Sequence, residues 1–245
     1  MQQVYLSHSE RGRISGLAIL VLLMLGVFVA LGTWQLQRKF EKEDILKDEQ
    51  VNGKAVAVDV PLGLDDYSHW RYRPVVTSGR YLPEQQFLLD NQIRDRVVGY
   101  NVLTPFLMSS GFIVLVDRGW VPQAESRSIY PVIDVANDMR TIRGELYTPF
   151  EEGLRLGTVD NDIEGWPRLI QYIDYEQLTE RLKKSLLPVI VRLDPSMSDG
   201  YRRDWQAVAF GPERHLGYAV QWYALAGAML VIFIILVRKK KKKIE

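Results

Sequence analysis

The stretch RHLGYAVQWYALAGAMLVIFIILV, residues 214–237, decides the architecture of this chain. From Leu216 to Val237 it carries no charge, and as a helix rising about 1.5 Å per residue it can cross the roughly 30 Å hydrocarbon core of a bilayer. It stops abruptly at Arg238. A matching uncharged run from Ile14 to Leu31 begins just after Arg11 and Arg13. The two runs predict two membrane crossings.

Short flanks rich in Lys and Arg stay on the cytoplasmic side, and both outer flanks qualify: Arg11 and Arg13 at one end, Arg238 and Lys239 to Lys243 at the other. The expected organisation is therefore a cytoplasmic N-terminus (1–13), a first transmembrane helix (14–36), an extracytoplasmic domain (37–213), a second transmembrane helix (214–237) and a basic cytoplasmic tail (238–245). No small-residue cleavage site follows Leu31, so the first span reads as an uncleaved anchor. No Arg-rich, acid-poor transit segment precedes it, which favours a bacterial inner membrane with the central domain in the periplasm. The lysine run reads as a stop-transfer anchor, with anionic lipid as the other use of such charge.

The net charge of +1 conceals an asymmetry. Removing the eight basic and two acidic residues of the flanks from the 31 and 30 in the chain leaves 23 basic and 28 acidic residues, about −5, between the spans. Such a segment has no electrostatic reason to bind nucleic acid. The absence of cysteine excludes disulfides, thiolate metal sites and cysteine nucleophiles.

The central segment is long enough for one domain with a sizeable core. Strands are predicted at 73–81, 86–90, 100–107 and 112–120, rich in Val, Leu, Phe and Tyr and separated by turn residues, with a hairpin around Met108 to Gly111. Further strands fall at 141–147, 169–173 and 189–193. One helix interrupts them: Asp174 and Gln177 have capping-box spacing, and Leu178 and Leu182 recur four apart. The expected fold class is α+β, with two transmembrane helices flanking one strand-rich antiparallel domain, barrel-like or sandwich-like.

Residues 32–49 contain no proline and many helix formers, so the first span should continue as a helix beyond the bilayer. Trp34, Arg38 and Lys42 then share a face, with Trp34 either an interfacial anchor or a residue turned towards the second span. On the second helix His215, Tyr218 and Trp222 form a stripe at i, i+3 and i+7, close to Ala219 and Ala226. Ala224, Gly227 and Ala228, with Gly16, Gly26 and Gly32 on the first span, are small enough for close helix approach. A neutral imidazole at this depth is a competent axial ligand for haem iron, and flat aromatics suit a porphyrin plane. Arg214, Arg38 or Arg118 could pair with the propionates. The competing reading is an interfacial histidine with no ligand. His69 is a remote candidate for a second ligand, and His8 lies on the cytoplasmic side.

Several pieces of the chain, in order, resemble the surfeit locus protein 1 family of cytochrome c oxidase assembly factors. They are LGTWQLQRKFEK, RYRPVVTSGRYLP, GYNVLTPF, VLVDRGWVP, NDIEGWPRLIQYID, LPVIVRLDP, GYRRDWQ and HLGYAVQWYALA, covering about residue 31 to residue 226. Glu41 stands where many members have tryptophan, Asp117 where asparagine is usual, and Glu213 in a segment often richer in asparagine. The resemblance implies a bacterial-type inner-membrane assembly factor for haem–copper oxidases that handles haem a, a chaperone with no catalytic residues. Its partners would be oxidase subunit I, haem a synthase and other assembly factors, with the oligomeric state open. On this reading His215 is the metal ligand; Tyr218, Trp222 and Trp34 as porphyrin-lining residues are a matter of helical geometry alone. The alternative is a cofactor-free scaffold that docks on subunit I or on other assembly factors.

No H-E-x-x-H, G-x-S-x-G, P-loop or G-x-G-x-x-G motif occurs, so the chain is not expected to be an enzyme. Asp160, Asp162, Glu164 and Gly165 imitate the start of a calcium loop, yet its closing acid would fall at Gln171. Glu151 and Glu152, like Asp65 and Asp66, read as solvent-facing acids. In the strand ending Arg118-Gly119-Trp120, Gly119 is expected to permit a bulge or a tight turn.

Overall fold

The computed structural model describes the backbone of residues 8–124, 129–149, 165–208 and 210–242, and side chains from residue 16 to residue 239 within these. Glu151, Glu152, Asp160, Asp162 and Glu164 lie outside the described residues, as do the side chains of His8, Arg11, Arg13 and the last lysines. The chain divides into two compact units, one made of 1–46 with 207–245 and the other of 47–206.

The first unit is helical. α1 (His8–Asn52) is 45 residues long, with its end from Lys47 onward counted in the second unit, and α3 (Pro212–Lys242) is 31. Both are long and apolar enough to cross a membrane, and their apolar windows are almost entirely unburied within the protein. At about 1.5 Å per residue α1 extends roughly twice the thickness of a hydrocarbon core, and its second half is the helical continuation expected from residues 32–49. It runs three residues further than expected.

Among its described residues the second unit holds seven strands: β1 (Pro74–Tyr81), β2 (Phe87–Arg94), β3 (Val97–Met108), β4 (Ile113–Pro122), β5 (Arg140–Tyr147), β6 (Arg168–Ile170) and β7 (Leu186–Leu193). The sheet order is β1-β5-β7-β4-β3-β2-β6, and β1 also pairs with β3. Five strands thereby close into a barrel, with β2 and β6 attached outside. Closure depends on the length of β3. Its residues 97–103 pair with β2, and further along Phe106 to Met108 pair with β1. Most pairings are antiparallel, as expected; β4–β7 and β2–β6 are parallel.

Side-chain alternation explains why β4 and β7 read as continuous apolar runs. Val114, Val116, Val189, Val191 and Leu193 point into the barrel with Tyr81, Phe106, Ile142 and Leu146. Ile113, Leu115 and Ile190 point outward, where α2 (Tyr175–Leu182) covers them with Leu178 and Leu182 beside Phe87 and Ile170. Both faces are buried, so neither face selects for polar residues. The Asp174 carboxylate caps α2 by accepting from the Glu176 and Gln177 amides, each at 3.1 Å, as its spacing predicted. Lys183 then ends the helix in the left-handed region at φ 53°.

Gly119 sits where a bulge was expected. Its φ is +110°, and a Cβ there would come 2.6 Å from the Arg202 carbonyl. Opposite it the register slips, since Asn101 faces Trp120 but Leu103 faces Asp117. The bulge turns Arg118 out of the strand alternation and into the network described next.

Candidate functional site

Among the described residues two side-chain hydrogen bonds join the helices of the first unit in an apolar setting. The ring of His215 on α3 meets Gln35 on α1, with Nδ1 2.8 Å from Oε1. Gln35 is buried at 9% exposure and His215 is half-buried. Around this bond the Thr33 hydroxyl lies 3.0 Å from the Tyr223 hydroxyl, and Phe28 packs on Trp222 with ring centroids 5.7 Å apart. Gly32 admits the Tyr223 ring, which would lie 2.9 Å from a Cβ at that position.

Besides Thr33 and Tyr223, the contacting positions on α1 are Phe28, Gly32 and Gln35, at i, i+4 and i+7, and those on α3 are His215, Ala219, Trp222 and Ala226, with Ala219 and Ala226 buried. Each set lies on one helical face. Of the small residues expected to promote close approach, only Gly32 does so, because Gly16, Gly26 and Gly227 would have nothing within 4 Å of an added Cβ and Ala224 and Ala228 are exposed. Ala219 and Ala226 take that role.

The expected site residues separate into three groups. His215 and Trp222 lie in the helix contact. Tyr218, 48% exposed, lies about 80–100° around α3 from the buried alanines and borders the contact. Trp34, 52% exposed, is one residue and so about 100° from Gln35; it does not take part in the contact with the second span. Arg38 beside it is ion-paired with Glu41 at 2.8 Å, and Arg214 lies over the Phe210 ring at 4.1 Å.

Arg118 belongs to the barrel unit and is 3% exposed. Its Nε donates to the Asp199 carbonyl at 2.7 Å, Nη1 to Gln86 Oε1 at 3.0 Å and the Ile133 carbonyl at 3.1 Å, and Nη2 to the Asp134 carbonyl at 3.0 Å. Thr104 Oγ1 donates in turn to Gln86 Oε1 at 2.7 Å. Burial pulls the Arg118 pKa down, while the Tyr201 and Tyr81 rings oppose that. Nearby Asp117 is fully buried, and desolvation pushes its pKa up to about 6 despite bonds from the Gly119 amide and Asn101 Nδ2. Arg118, a candidate partner for a propionate, has its fork committed to backbone and side-chain oxygens that hold the loops at 133–134 and 199 on the barrel. His69 lies exposed in a 3-10 turn of the same unit, and its carbonyl accepts from Asn52.

Gln35, Thr33 and Tyr223 were not anticipated. The signal was present, because a glutamine next to a long apolar run is costly in lipid and should turn towards another helix. Among the described residues no group of three or more His, Asp or Glu could hold a metal ion.

Two membrane-length helices bracketing a closed five-stranded barrel, with a histidine–glutamine contact between the helices, define the class of protein. The model of the SURF1 family matches residues 22–227, and the chain belongs to that family. A SURF1-like protein of Monosiga brevicollis is 27% identical over 94% of this chain and 90% of its own length. One from Rickettsia felis is 25% identical over 89% and 95%. The cytochrome oxidase assembly protein SHY1 of Saccharomyces cerevisiae is 27% identical over 60% of this chain and 37% of its own length.

The pieces that carry the resemblance now have structural reasons. LGTWQ and HLGYAVQWY form the helix contact. RGW supplies the bulge and the buried guanidinium. In GYRRDWQ the Tyr201 amide donates to the Arg118 carbonyl at 2.7 Å and Trp205 Nε1 to the Leu193 carbonyl at 2.9 Å, tying the segment after β7 to the barrel.

Proposed function

We propose that this protein is a membrane-anchored assembly factor for a haem–copper terminal oxidase, and that it holds haem a at His215 before the cofactor enters subunit I. The SURF1 membership and the assembly role in the name of the yeast relative support the first part. The Rickettsia relatives and the two apolar helices support a bacterial inner membrane, with both termini cytoplasmic by the positive-inside rule.

One observation carries the haem reading. His215 Nδ1 is bonded to Gln35 Oε1, and among the described residues no hydrogen bond reaches the other ring nitrogen. Haem-ligating histidines are held in this way, one nitrogen oriented by a neighbour and the other presented to iron. The donor chemistry therefore fits the group, and His215 would hold it, with Trp222 and Tyr218 beside the ligand and Arg214 within the same helical turn for a propionate. Haem a supplies redox and oxygen chemistry only in the oxidase; here the chain's residues bind, orient and release it. The protein acts as a chaperone and not as an enzyme, with subunit I, haem a synthase and other assembly factors as partners.

The cofactor-free scaffold remains the second reading, because the His215–Gln35 bond by itself joins two helices and gives the histidine a structural reason. Complementation separates the two. In a bacterium lacking its own SURF1-family protein, His215→Ala should insert normally yet leave membranes depleted of haem a–containing oxidase. Full oxidase content with that variant would refute the carrier reading and favour the scaffold.

A further inference from the structure

We infer that Gln35 is the positioning residue of this site: its amide oxygen fixes His215 as the Nδ1–H tautomer and presents Nε2 as a deliberately weak iron ligand. The inference rests on the haem reading for its purpose but not for its geometry.

An amide oxygen has only lone pairs, so a 2.8 Å contact between Oε1 and Nδ1 requires the proton on Nδ1. A neutral imidazole carries one N–H, and Nε2 is left with its lone pair. The other polar groups of the helix contact satisfy each other, since Thr33 and Tyr223 pair at 3.0 Å and the Thr33 hydroxyl is 2.9 Å from the Val29 carbonyl. Among the described residues Gln35 alone orients the ring. It is well placed for this, because its buried side chain is surrounded by packed residues and its own chain direction is set by α1.

The amide also sets the strength of the ligand. A carboxylate at that position would draw the Nδ1 proton towards itself and make Nε2 more basic, as partners of metal-ligating histidines commonly do. A neutral amide orients without adding charge. The imidazole then remains an ordinary donor, which suits a group that must pass its cargo on.

The test uses the full chain in detergent with 15N-labelled histidine; the chain has three histidines, so His215 is assignable by its loss in His215→Ala. Wild type should show a protonated Nδ1 and an unprotonated Nε2. In Gln35→Ala that signature should give way to the Nε2–H form, and haem affinity should fall about tenfold or more. Gln35→Glu should retain the Nδ1–H signature and slow haem transfer to a haem-free globin about tenfold. A wild-type ring protonated at Nε2, or a tautomer unchanged in Gln35→Ala, would overturn the inference. The tautomer is read without haem: a wild type that takes up no haem defeats the carrier reading, while the nitrogen spectrum still decides the role of Gln35.

Discussion

In the barrel, Arg118 is 3% exposed with five oxygen atoms around its guanidinium, whereas in the helix pair His215 has one hydrogen-bond partner and a second ring nitrogen with none among the described residues. A buried charge is tolerable only when its hydrogen-bonding capacity is used up, and a group used up in this way is a structural strut. A neutral ring held at one nitrogen is different: it costs little to keep and has a lone pair to offer. Both residues read as candidate haem contacts in the sequence, and their surroundings differ in how much of their hydrogen-bonding capacity the chain itself uses.

Arg118→Ala is the change that should break the barrel side of this contrast most severely. It strands the carbonyls of Asp134 and Asp199 and removes one of two donors from Gln86 Oε1 and from the Ile133 carbonyl, and should cost about 3 kcal/mol or more by denaturant unfolding in detergent. Arg118→Lys should also fail to restore stability, since an ammonium cannot span the same fork. Gly99→Ala should follow at about 1–3 kcal/mol, because a Cβ there would come 2.2 Å from the Val121 carbonyl and 2.6 Å from the Trp120 indole.

Asp117 sharpens the contrast through pH. Its folded pKa of about 6 lies above the ordinary 3.8, so the folded state binds the extra proton between these values. The contribution of Asp117 is therefore most favourable below about pH 4 and is lost as pH rises through 6. Asp117→Asn should flatten that dependence and stabilise above pH 6 by something on the order of 1–3 kcal/mol. The change suits its surroundings: Asn101 Oδ1 is buried without a partner, and a rotated Asn101 amide could accept from the new amide nitrogen. Stability measured from pH 4 to 8 in both proteins checks it.

The smallest effect on stability should come from His215→Ala. Polar contacts between membrane helices contribute about 0.6 kcal/mol on average, so the variant should unfold nearly as wild type does. A loss as large as that of Arg118→Ala would place His215 among the struts.

The strands and the two long apolar helices were legible in the sequence because their signals are local. The strand expected at 73–81 is β1 at Pro74–Tyr81, and 141–147 is β5 within one residue. β7 starts at Leu186, earlier than the expected 189, because Pro188 reads as a break although it lies where the register with β4 slips. The choice between barrel and sandwich was not legible, since it turns on β3 pairing with two strands along one edge, a non-local event. The helix contact was legible at His215 but not at Gln35. Trp34, Arg38 and Lys42 form as regular a stripe as Phe28, Gly32 and Gln35, and nothing along α1 alone says which stripe faces α3.

The most direct test of the central claim is the visible absorption spectrum of the purified full-length protein, expressed together with haem a synthesis enzymes, for wild type and His215→Ala. A haem a band in wild type that disappears in the well-folded variant is the predicted result. A folded wild type without haem, or a band that survives the loss of His215, would contradict it.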